Sequence, residues 1–451
     1  MAWRADGRPE NRPLMLSLLA FGMVATFMTL IMTKRLSAMI ALIVVPTVFA
    51  LIAGFVNDLG GMMLAGVVDL APTGVMLLFA ILYFGLMIDA GLFDPLTRKV
   101  VALAHGDPLR ITMGSAILGL VVAFDGDGTT TYMITLSALL PLYRHMKMDV
   151  RVLTCILIMA VAAMNLVPWG GPTARAAIAL GVDPRELFLS LIPAVVATIG
   201  WVLFVAFLLG RAERSRLGIH TRLAMPPPGE LDLSTPDSDG SPSTRRPHLF
   251  WFNAALTATL MGVLLFGNVP LQVLFMVAFA IAAMVNYPRI EMQRERLAAH
   301  AANALATAGL VFAAGIFTGV LSGTRMVDAM ATTVTGVVPD ALGPYMAPIT
   351  ALISIPFTVL ISNDAFYFGM LPVLAHSAEF HGIDAMQIAR ASLVGQQIHL
   401  LSPLVASTYL LVGTAGVELG DHQRFTMKWA LGACGVFMAT CILLGLFPWR
   451  S

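Results

Sequence analysis

The stretch "VVAFDGDGTTTYMI" (121–134) places carboxylates and hydroxyls in an otherwise apolar run. Asp125 and Asp127 stand two residues apart, and Thr129 and Thr130 follow them. Oxygen ligands of these types suit hard cations such as Mg²⁺, Ca²⁺ and Na⁺, and carboxylates also carry protons. The stretch therefore predicts a cation or proton site, with capping of a helix by either aspartate as the alternative.

The composition indicates a membrane protein with many spans. Of its 451 residues, 58% are hydrophobic and only 12% are charged, whereas soluble domains carry about a quarter charged residues. The net charge of +1 argues against nucleic acid as a partner, because nucleic-acid binding needs a basic surface. We expect a multi-pass protein of the cell (inner) membrane, with the lipid bilayer as its surroundings.

The chain consists of two similar halves. "MDVRVLTCILIMAVAAMNLVPWGGPTARAAIALGVD" (148–183) aligns without gaps to "IDAMQIARASLVGQQIHLLSPLVASTYLLVGTAGVE" (383–418), so that Thr173 meets Thr408. Further identities occur in nearly the same register along the chain, which favours an internal duplication.

Each half contains a polar centre between two apolar arms. The first is "DGDGTT" within 108–143, and the second is "SNDAFY" within 341–378. Each arm has about 15 residues, which is too short to cross a bilayer at ~1.5 Å per residue. Irregular backbone at membrane depth is tolerated only inside protein or beside a cavity. We therefore predict two re-entrant hairpins with polar tips, a single kinked helix being the alternative.

A broken helix is predicted after each hairpin. The segment 150–181 is interrupted by "NLVPWGGPT", and the segment 385–416 is interrupted by "LLSPLVAST". Proline removes a helix hydrogen bond and clashes with the preceding turn. Two breaks at matched positions predict discontinuous helices with binding roles, and an ordinary proline kink is the alternative.

These elements predict an all-α polytopic membrane protein, an inverted repeat of two five-helix halves at 1–210 and 248–451. Each half has one re-entrant hairpin and one broken helix, giving about ten full crossings plus two hairpins. Residues 211–247 are predicted to be a disordered linker. Of the 27 Lys and Arg residues, 19 fall on the linker's side of the membrane. This bias predicts a cytoplasmic linker with both termini outside.

The tips and breaks together predict the binding site. Half-helix N-termini offer N–H groups to an anion, and broken backbone offers carbonyl oxygens to a cation. The candidates in the first half are Asp125, Asp127, Thr129, Thr130, Asn165, Trp169, Gly170, Thr173 and Arg175. Those in the second half are Ser362, Asn363, Asp364, Tyr367, His399, Ser402, Ser407 and Thr408. The candidate metal ligands are Asp125, Asp127 and Asp364, unless the substrate itself mainly holds the metal.

Several candidates have ordinary structural alternatives. Threonine and serine hydroxyls at the breaks bond back to helix carbonyls in many membrane helices. His399 fits a packed helix residue, Arg175 fits a side chain that snorkels to the interface, and Trp169 and Tyr367 fit packing positions. The sequence contains no H-E-x-x-H, G-x-S-x-G or P-loop pattern, so we expect a transporter rather than an enzyme, without a permanently bound cofactor.

Four motifs resemble the citrate–divalent metal–proton symporter family of the ion transporter superfamily. They are "FDGDGTTTYM", "NLVPWGGPTAR", "SNDAFYFGMLPVLA" and "GQQIHLLSPLVASTYLLVG". The resemblance implies import of citrate complexed with a divalent metal ion, the metal being co-transported, by proton symport. It also implies an inverted-repeat fold with a scaffold domain and a mobile, elevator-type substrate domain, assembled as a homodimer.

The charges agree with that expectation. Citrate carries about three negative charges at neutral pH, so a divalent ion leaves a complex of charge about −1, which is cheaper to move through a low-dielectric site. Sodium-coupled relatives in the superfamily carry Ser-Asn-Thr at the tips. Here Ser362 and Asn363 keep part of that pattern, but Asp364 replaces the threonine, which favours protons. The alternative is a same-fold carrier of another di- or tricarboxylate, including a sodium-coupled one.

Overall fold

The structure is a computed structural model that describes residues 11–104, 106–218, 244–337 and 341–451. All regular elements within these ranges are helical. The α-helices of the first half are α1 (Asn11–Met32), α2 (Ala38–Ile52), α3 (Leu59–Asp89), α4 (Asp94–Ala104), α5 (Pro108–Val122), α6 (Gly128–His145), α7 (Val150–Met164), α8 (Gly171–Leu180) and α9 (Pro184–Leu217). Those of the second half are α10 (Phe250–Phe266), α11 (Leu271–Asn286), α12 (Ile290–Gly323), α13 (Met326–Val337), α14 (Met346–Leu360), α15 (Leu371–Glu379), α16 (Ala385–Ser392), α17 (Gln396–His399), α18 (Ala406–Ala415) and α19 (Leu419–Leu443).

Length and hydropathy identify membrane-spanning helices in both halves. Over the described residues, seven helical segments are long and apolar enough to cross a bilayer, including α3, α9, α12 and α19. Shorter apolar helices, such as α1 and α11, accompany them. The predicted all-α polytopic membrane fold is therefore confirmed, while the count of ten crossings stays a prediction.

The long helices α3 and α12 pack closely through glycines. A side chain at Gly66 would collide with the backbone of Gly315 and Gly319, and one at Gly85 would meet the ring of His300. Small residues allow such close approach, which stabilises helix pairs where lipid provides no hydrophobic driving force. His300 follows Gly66 by 234 residues, and Gly319 follows Gly85 by the same 234 residues. The two contacts are therefore images of one another in the register of the proposed repeat.

The first predicted hairpin corresponds to α5, a 3₁₀ turn at Ala123–Asp125, and α6. With its turn, the first arm reaches 18 residues, so arm length alone does not separate a hairpin from a crossing. The path of the returning chain excludes the alternative of a single kinked helix, whereas the re-entrant character of the hairpin stays a prediction. The hydroxyl groups of Ser115 on α5 and Tyr143 on α6 lie 3.3 Å apart, so the two arms run side by side.

The second predicted hairpin corresponds to α14, a π-helical segment at Ala365–Met370, and α15. Its two ends meet again at the base. A side chain at Gly343, just before α14, would collide with the ring of His381, just after α15. The intervening tip, at 361–364, therefore lies at the far end of both arms.

Both predicted breaks interrupt their helices. Residues 165–170 separate α7 from α8, and residues 400–405 separate α17 from α18. A threonine hydroxyl supports each break: Thr173 donates to the carbonyl oxygen of Leu166 at 2.9 Å, and Thr408 donates to that of Leu400. These bonds satisfy backbone oxygens that the interrupted helices leave unpaired.

The first arm of the second broken helix differs from the expected single segment. It bends at a 3₁₀ turn, Leu393–Gly395, between α16 and α17. A side chain at Gly395 would collide with the backbone of Ser354 on α14, and Gly395 donates its N–H to the Ser354 hydroxyl at 2.9 Å. The bend follows from this close contact with the hairpin.

Ordered structure extends into both ends of the predicted linker, 211–247. Helix α9 continues to Leu217, where Arg216 pairs with Glu213 and donates to the carbonyl oxygen of Lys147. At the other end, Arg245 forms an ion pair with Asp94 on α4. Residues 219–243, which form most of the predicted linker, lie outside the described residues.

Candidate functional site

A cavity of about 470 Å³ lies between the first hairpin tip, the start of α8, and the facing sides of α3 and α12. It brings together six of the predicted site residues and places others behind its wall. The six lining residues are Asp125, Asp127, Thr129, Thr130, Trp169 and Arg175. Carboxylates and a guanidinium group therefore face the same space.

Asp125 has a free carboxylate oxygen in this wall. The residue is only 8% exposed, and its Oδ1 accepts the N–H of Asp127 at 2.9 Å. Gly126 turns the chain between them with a φ of 82°, a conformation that favours glycine. The described residues supply no hydrogen bond to Oδ2 of Asp125, which leaves this oxygen for a cation or proton.

Asp127 caps the N-terminus of α6. Its Oδ1 accepts the N–H of Thr129 at 3.2 Å, and its Oδ2 accepts the N–H and the hydroxyl of Thr130 at 3.0 and 2.6 Å. The structural alternative that the sequence left open, helix capping, therefore describes Asp127 well. The two aspartates differ: one shapes the tip, and the other has coordination capacity to spare.

Trp169 joins the first break to the first tip. Its Nε1 donates to the carbonyl oxygen of Phe124 at 3.0 Å, and its ring packs against Phe84 and Phe275 with centroids 5.5 and 5.2 Å away. The indole is thus a packing residue and a cavity wall at once.

The backbone at the start of α8 is also exposed to the cavity. Gly170 is the N-cap, without a side-chain hydrogen bond to the first turn, and Gly171 lines the cavity. Free N–H groups at a helix N-terminus favour an anion. In the same break, the buried Oδ1 of Asn165 has no hydrogen-bond partner among the described residues.

An ion pair links the two halves beside the cavity. Nε of Arg175 on α8 donates to Oδ1 of Asp364, at the second hairpin tip, over 2.7 Å. The Arg175 side chain thus points to a carboxylate at the second tip, and the alternative of snorkelling to the membrane interface stays a prediction. Asp364 itself does not line the cavity with Asp125 and Asp127.

The remaining polar residues of the second tip satisfy one another. Asn363 and Gln396 exchange amide hydrogen bonds of 3.3 and 3.1 Å, and Gln396 also donates to the Tyr367 hydroxyl at 3.0 Å. Ser362 accepts the N–H of Ala365 at 3.2 Å. This network fixes the tip and leaves little capacity for a ligand in the described arrangement.

The second hairpin is also bonded to its own broken helix. Nδ1 of His399 donates to the carbonyl oxygen of Thr358 at 2.6 Å, and the Ser402 hydroxyl donates to that of Val359 at 2.6 Å. Since the hairpin carbonyl acts only as acceptor, His399 carries its proton on Nδ1 here. The structure thus places His399 and Ser402 in packing and bonding roles.

The first tip meets the second half at Ser407. A side chain at Gly128, at the start of α6, would lie 3.4 Å from the Ser407 hydroxyl. Each tip therefore contacts the broken-helix region of the other half: Gly128 beside Ser407, and Asp364 beside Arg175.

Three cavity residues on α12 were not predicted from the sequence. His300, Asn303 and Thr307 face the cavity, and His300 bonds through Nε2 to Oδ2 of Asp89 at 2.8 Å. Their spacing of three and four residues places them on one helix face. That polar stripe in an otherwise apolar segment was the available signal.

The described residues contain no group of three or more His, Cys, Asp or Glu side chains placed to hold a metal ion. The predicted set of Asp125, Asp127 and Asp364 is not assembled, because Asp364 is engaged by Arg175. A metal ion in the cavity would contact the Asp125–Asp127 side and would need further ligands from a molecule bound together with it.

Comparison with known proteins gives consistent matches over nearly the whole chain. The family model described as citrate transporter (CitMHS) matches residues 27–395. A "Citrate transporter" of Bacillus subtilis (strain 168) is 56% identical over 432 residues, covering 96% of this chain and 99% of the relative. A "Mg(2+)/citrate complex secondary transporter" of the same organism is 49% identical over 438 residues, with the same two coverages.

A solved structure is similar in fold. The crystal structure of the YdaH transporter of Alcanivorax borkumensis matches with a TM-score of 0.54, covering 97% of this chain and 99% of that one. The identity is 15%, so this likeness concerns the fold alone.

The tight turn at Gly170 generates the first prediction. An added Cβ there would collide with the carbonyl oxygen of Asn165, whereas at Gly200, inside α9, it would meet nothing within 4 Å. We expect Gly170→Ala to destabilise the protein by about 2 kcal/mol or more, measured as a lower midpoint of thermal unfolding in detergent. Gly200→Ala, the control, should leave the midpoint equal or higher, because alanine favours a helix. Equal midpoints for both variants would contradict the described break.

Proposed function

The chain belongs to the citrate transporter (CitMHS) family, and on that premise we propose that it imports citrate as a complex with a divalent metal ion of the Mg²⁺ or Ca²⁺ class by proton symport. The observation that carries the proposal is the pairing of opposite charges in one cavity. Asp125 and Asp127 lie on one side and Arg175 on another. A metal–citrate complex presents both a cation and free carboxylates, so it matches both sides at once.

The anion side of the cavity is built from α8. Arg175 and the uncapped N-terminus at Gly171 face the space, and guanidinium groups and helix N-termini both favour carboxylates. The cation side is the tip of the first hairpin, where Oδ2 of Asp125 is unengaged. Because the protein offers only the Asp125 carboxylate and the capping Asp127 on this side, citrate itself would supply most of the metal ligands.

Proton coupling is supported by the position of Asp125. A buried carboxylate at membrane depth is costly when charged unless it has a partner, and it becomes neutral by taking up a proton. A complex of charge about −1 would be neutralised by one proton, and a second would make import electrogenic. Sodium coupling, or another di- or tricarboxylate, remains the alternative function because Ser362 and Asn363 keep part of the sodium-type tip.

An elevator-type mechanism is supported by two cavities, one at the N-terminal part of α8 and one at its C-terminal end. The cavity at the first tip reaches Ile88, at the end of α3, while a second cavity of about 730 Å³ reaches Gly61, at its beginning. Ile178 of α8 lines both. Movement of α8 and the attached hairpins past α3 and α12 would carry the site from one cavity towards the other.

We propose that the protein assembles as a homodimer.

The metal requirement is a direct test of the proposed substrate. Purified protein in proteoliposomes with an imposed proton gradient should take up radiolabelled citrate with Mg²⁺ or Ca²⁺, because the metal offsets two of citrate's charges. Excess chelator should reduce uptake at least about tenfold. Full uptake in chelator would instead favour the alternative carrier, and dependence on a sodium gradient would exclude proton coupling.

Because the two tip aspartates differ in their hydrogen bonds, we expect their asparagine variants to differ in citrate uptake. Asp125→Asn removes the free carboxylate, so we expect citrate uptake to fall about 100-fold while the protein elutes as one species on size exclusion. Asp127→Asn should lose less, because asparagine caps a helix about as well as aspartate.

The control for this pair is Asp183→Asn. Asp183 also caps a helix, α9, through the N–H groups of Arg185 and Glu186, but it does not line the cavity. Its variant should transport normally. Wild-type uptake by Asp125→Asn would show that this carboxylate is structural.

We propose that the linker is cytoplasmic and both termini are outside. The free cysteines Cys155, Cys434 and Cys441 are buried, so single introduced cysteines can be labelled over a low background. Asn57→Cys, in an exposed loop between α2 and α3, should react with a membrane-impermeant maleimide in intact cells. Ser215→Cys, exposed near the end of α9, should react only after the membrane is permeabilised. The reverse pattern would overturn the proposed orientation.

A further inference from the structure

The ion pair between Arg175 and Asp364 lies at the anion side of the cavity. Among the described residues, the guanidinium is engaged through Nε alone, at 2.7 Å from Oδ1 of Asp364. The side chains of Arg175 and Asp364 are 26% and 19% exposed. Arg175 lines the cavity, whereas Asp364 lies behind it. The guanidinium also lies close to the start of α8, since a side chain at Gly171 would approach its Nη1 to 2.7 Å.

A ligand carboxylate can displace this partner. The contact to Asp364 uses one nitrogen, while a carboxylate arriving from the cavity has the planar geometry for a bidentate contact, which is the stronger arrangement. Asp364 would then lose the only ion-pair partner that the described residues give it.

A displaced Asp364 has little else to compensate its charge. The adjoining His399 donates its Nδ1 proton to Thr358, and Asn363 is bonded to Gln396. An unpaired carboxylate at membrane depth is costly. The exchange therefore becomes favourable when a cation arrives with the ligand and offsets the stranded negative charge.

We propose that Asp364 is the resident counter-ion of Arg175, that a substrate carboxylate displaces it, and that the stranded Asp364 carboxylate makes a co-bound cation obligatory. This inference rests on the proposed function, since it requires a carboxylate substrate in the cavity. It assigns Asp364 a role different from metal ligand: a competitor for Arg175 that penalises binding of the bare anion.

The test is a binding measurement that needs no transport. Isothermal titration calorimetry of the purified full-length protein at fixed pH compares citrate with Mg²⁺ against citrate with a chelator. The wild type should bind the first and bind the second at least about tenfold more weakly. Asp364→Asn removes the stranded charge, so it should bind metal-free citrate about tenfold or more tightly than the wild type and lose most of its dependence on metal.

Further variants separate this role from a structural one. Asp364→Glu retains a counter-ion and should retain the metal dependence, and Asp364→Ser provides a second neutral variant if the asparagine protein is unstable. Asp94→Asn is the matched control, because Asp94 pairs with Arg245 at comparable exposure, 31% and 30%, away from the cavity. It should leave both citrate affinities unchanged.

The outcomes distinguish the two proposals. If the wild type binds Mg²⁺–citrate while the neutral Asp364 variants bind neither form, or keep the wild-type metal dependence, the counter-ion role is overturned and the proposed function stands. If the wild type binds citrate in neither form, the proposed function fails, and the exchange fails with it.

Discussion

Backbone groups that leave a helix inside a membrane must find hydrogen-bond partners within the protein, and the ligand-facing part of this chain depends on that constraint. Thr173 and Thr408 satisfy carbonyl oxygens at the two breaks, Asp127 satisfies N–H groups at the first tip, and Trp169 satisfies a carbonyl oxygen beside it. Polar residues near the cavity thus form two groups: those that satisfy backbone hydrogen-bonding groups, and those that can still bind a ligand. Arg175 and Asp125 belong mainly to the second group.

The interruptions of the fold could be predicted because proline, glycine and charge in an apolar run have few explanations at membrane depth. The breaks around Pro168 and Pro403 follow from local chemistry alone. The bend at Leu393–Gly395 and the extension of α9 to Leu217 could not be predicted in this way. Both depend on contacts with residues distant in sequence, and a local pattern contains no information about those contacts.

The candidate site shows the same division. Residue types at the first tip were enough to identify Asp125 and Asp127. Their spacing could not tell a cap from a free carboxylate, because both lie within three residues before the start of α6 at Gly128. The pairing of Arg175 with Asp364 joins different halves, so it required the tertiary structure. The α12 stripe at His300 and Asn303 could be predicted from helical periodicity, but it lies in an uninterrupted helix, where no proline or glycine break marks a site.

The shared position of Ile178 between the two cavities has an electrical consequence. If water fills both cavities from opposite ends of α3, the membrane voltage would fall mainly across the side chains around Ile178 rather than over the full bilayer. A unit charge crossing that layer gains or loses about 2.3 kcal/mol per 100 mV within a short displacement. A small movement of α8 relative to α3 would therefore be enough for an unbalanced charge at the site to sense most of the membrane potential.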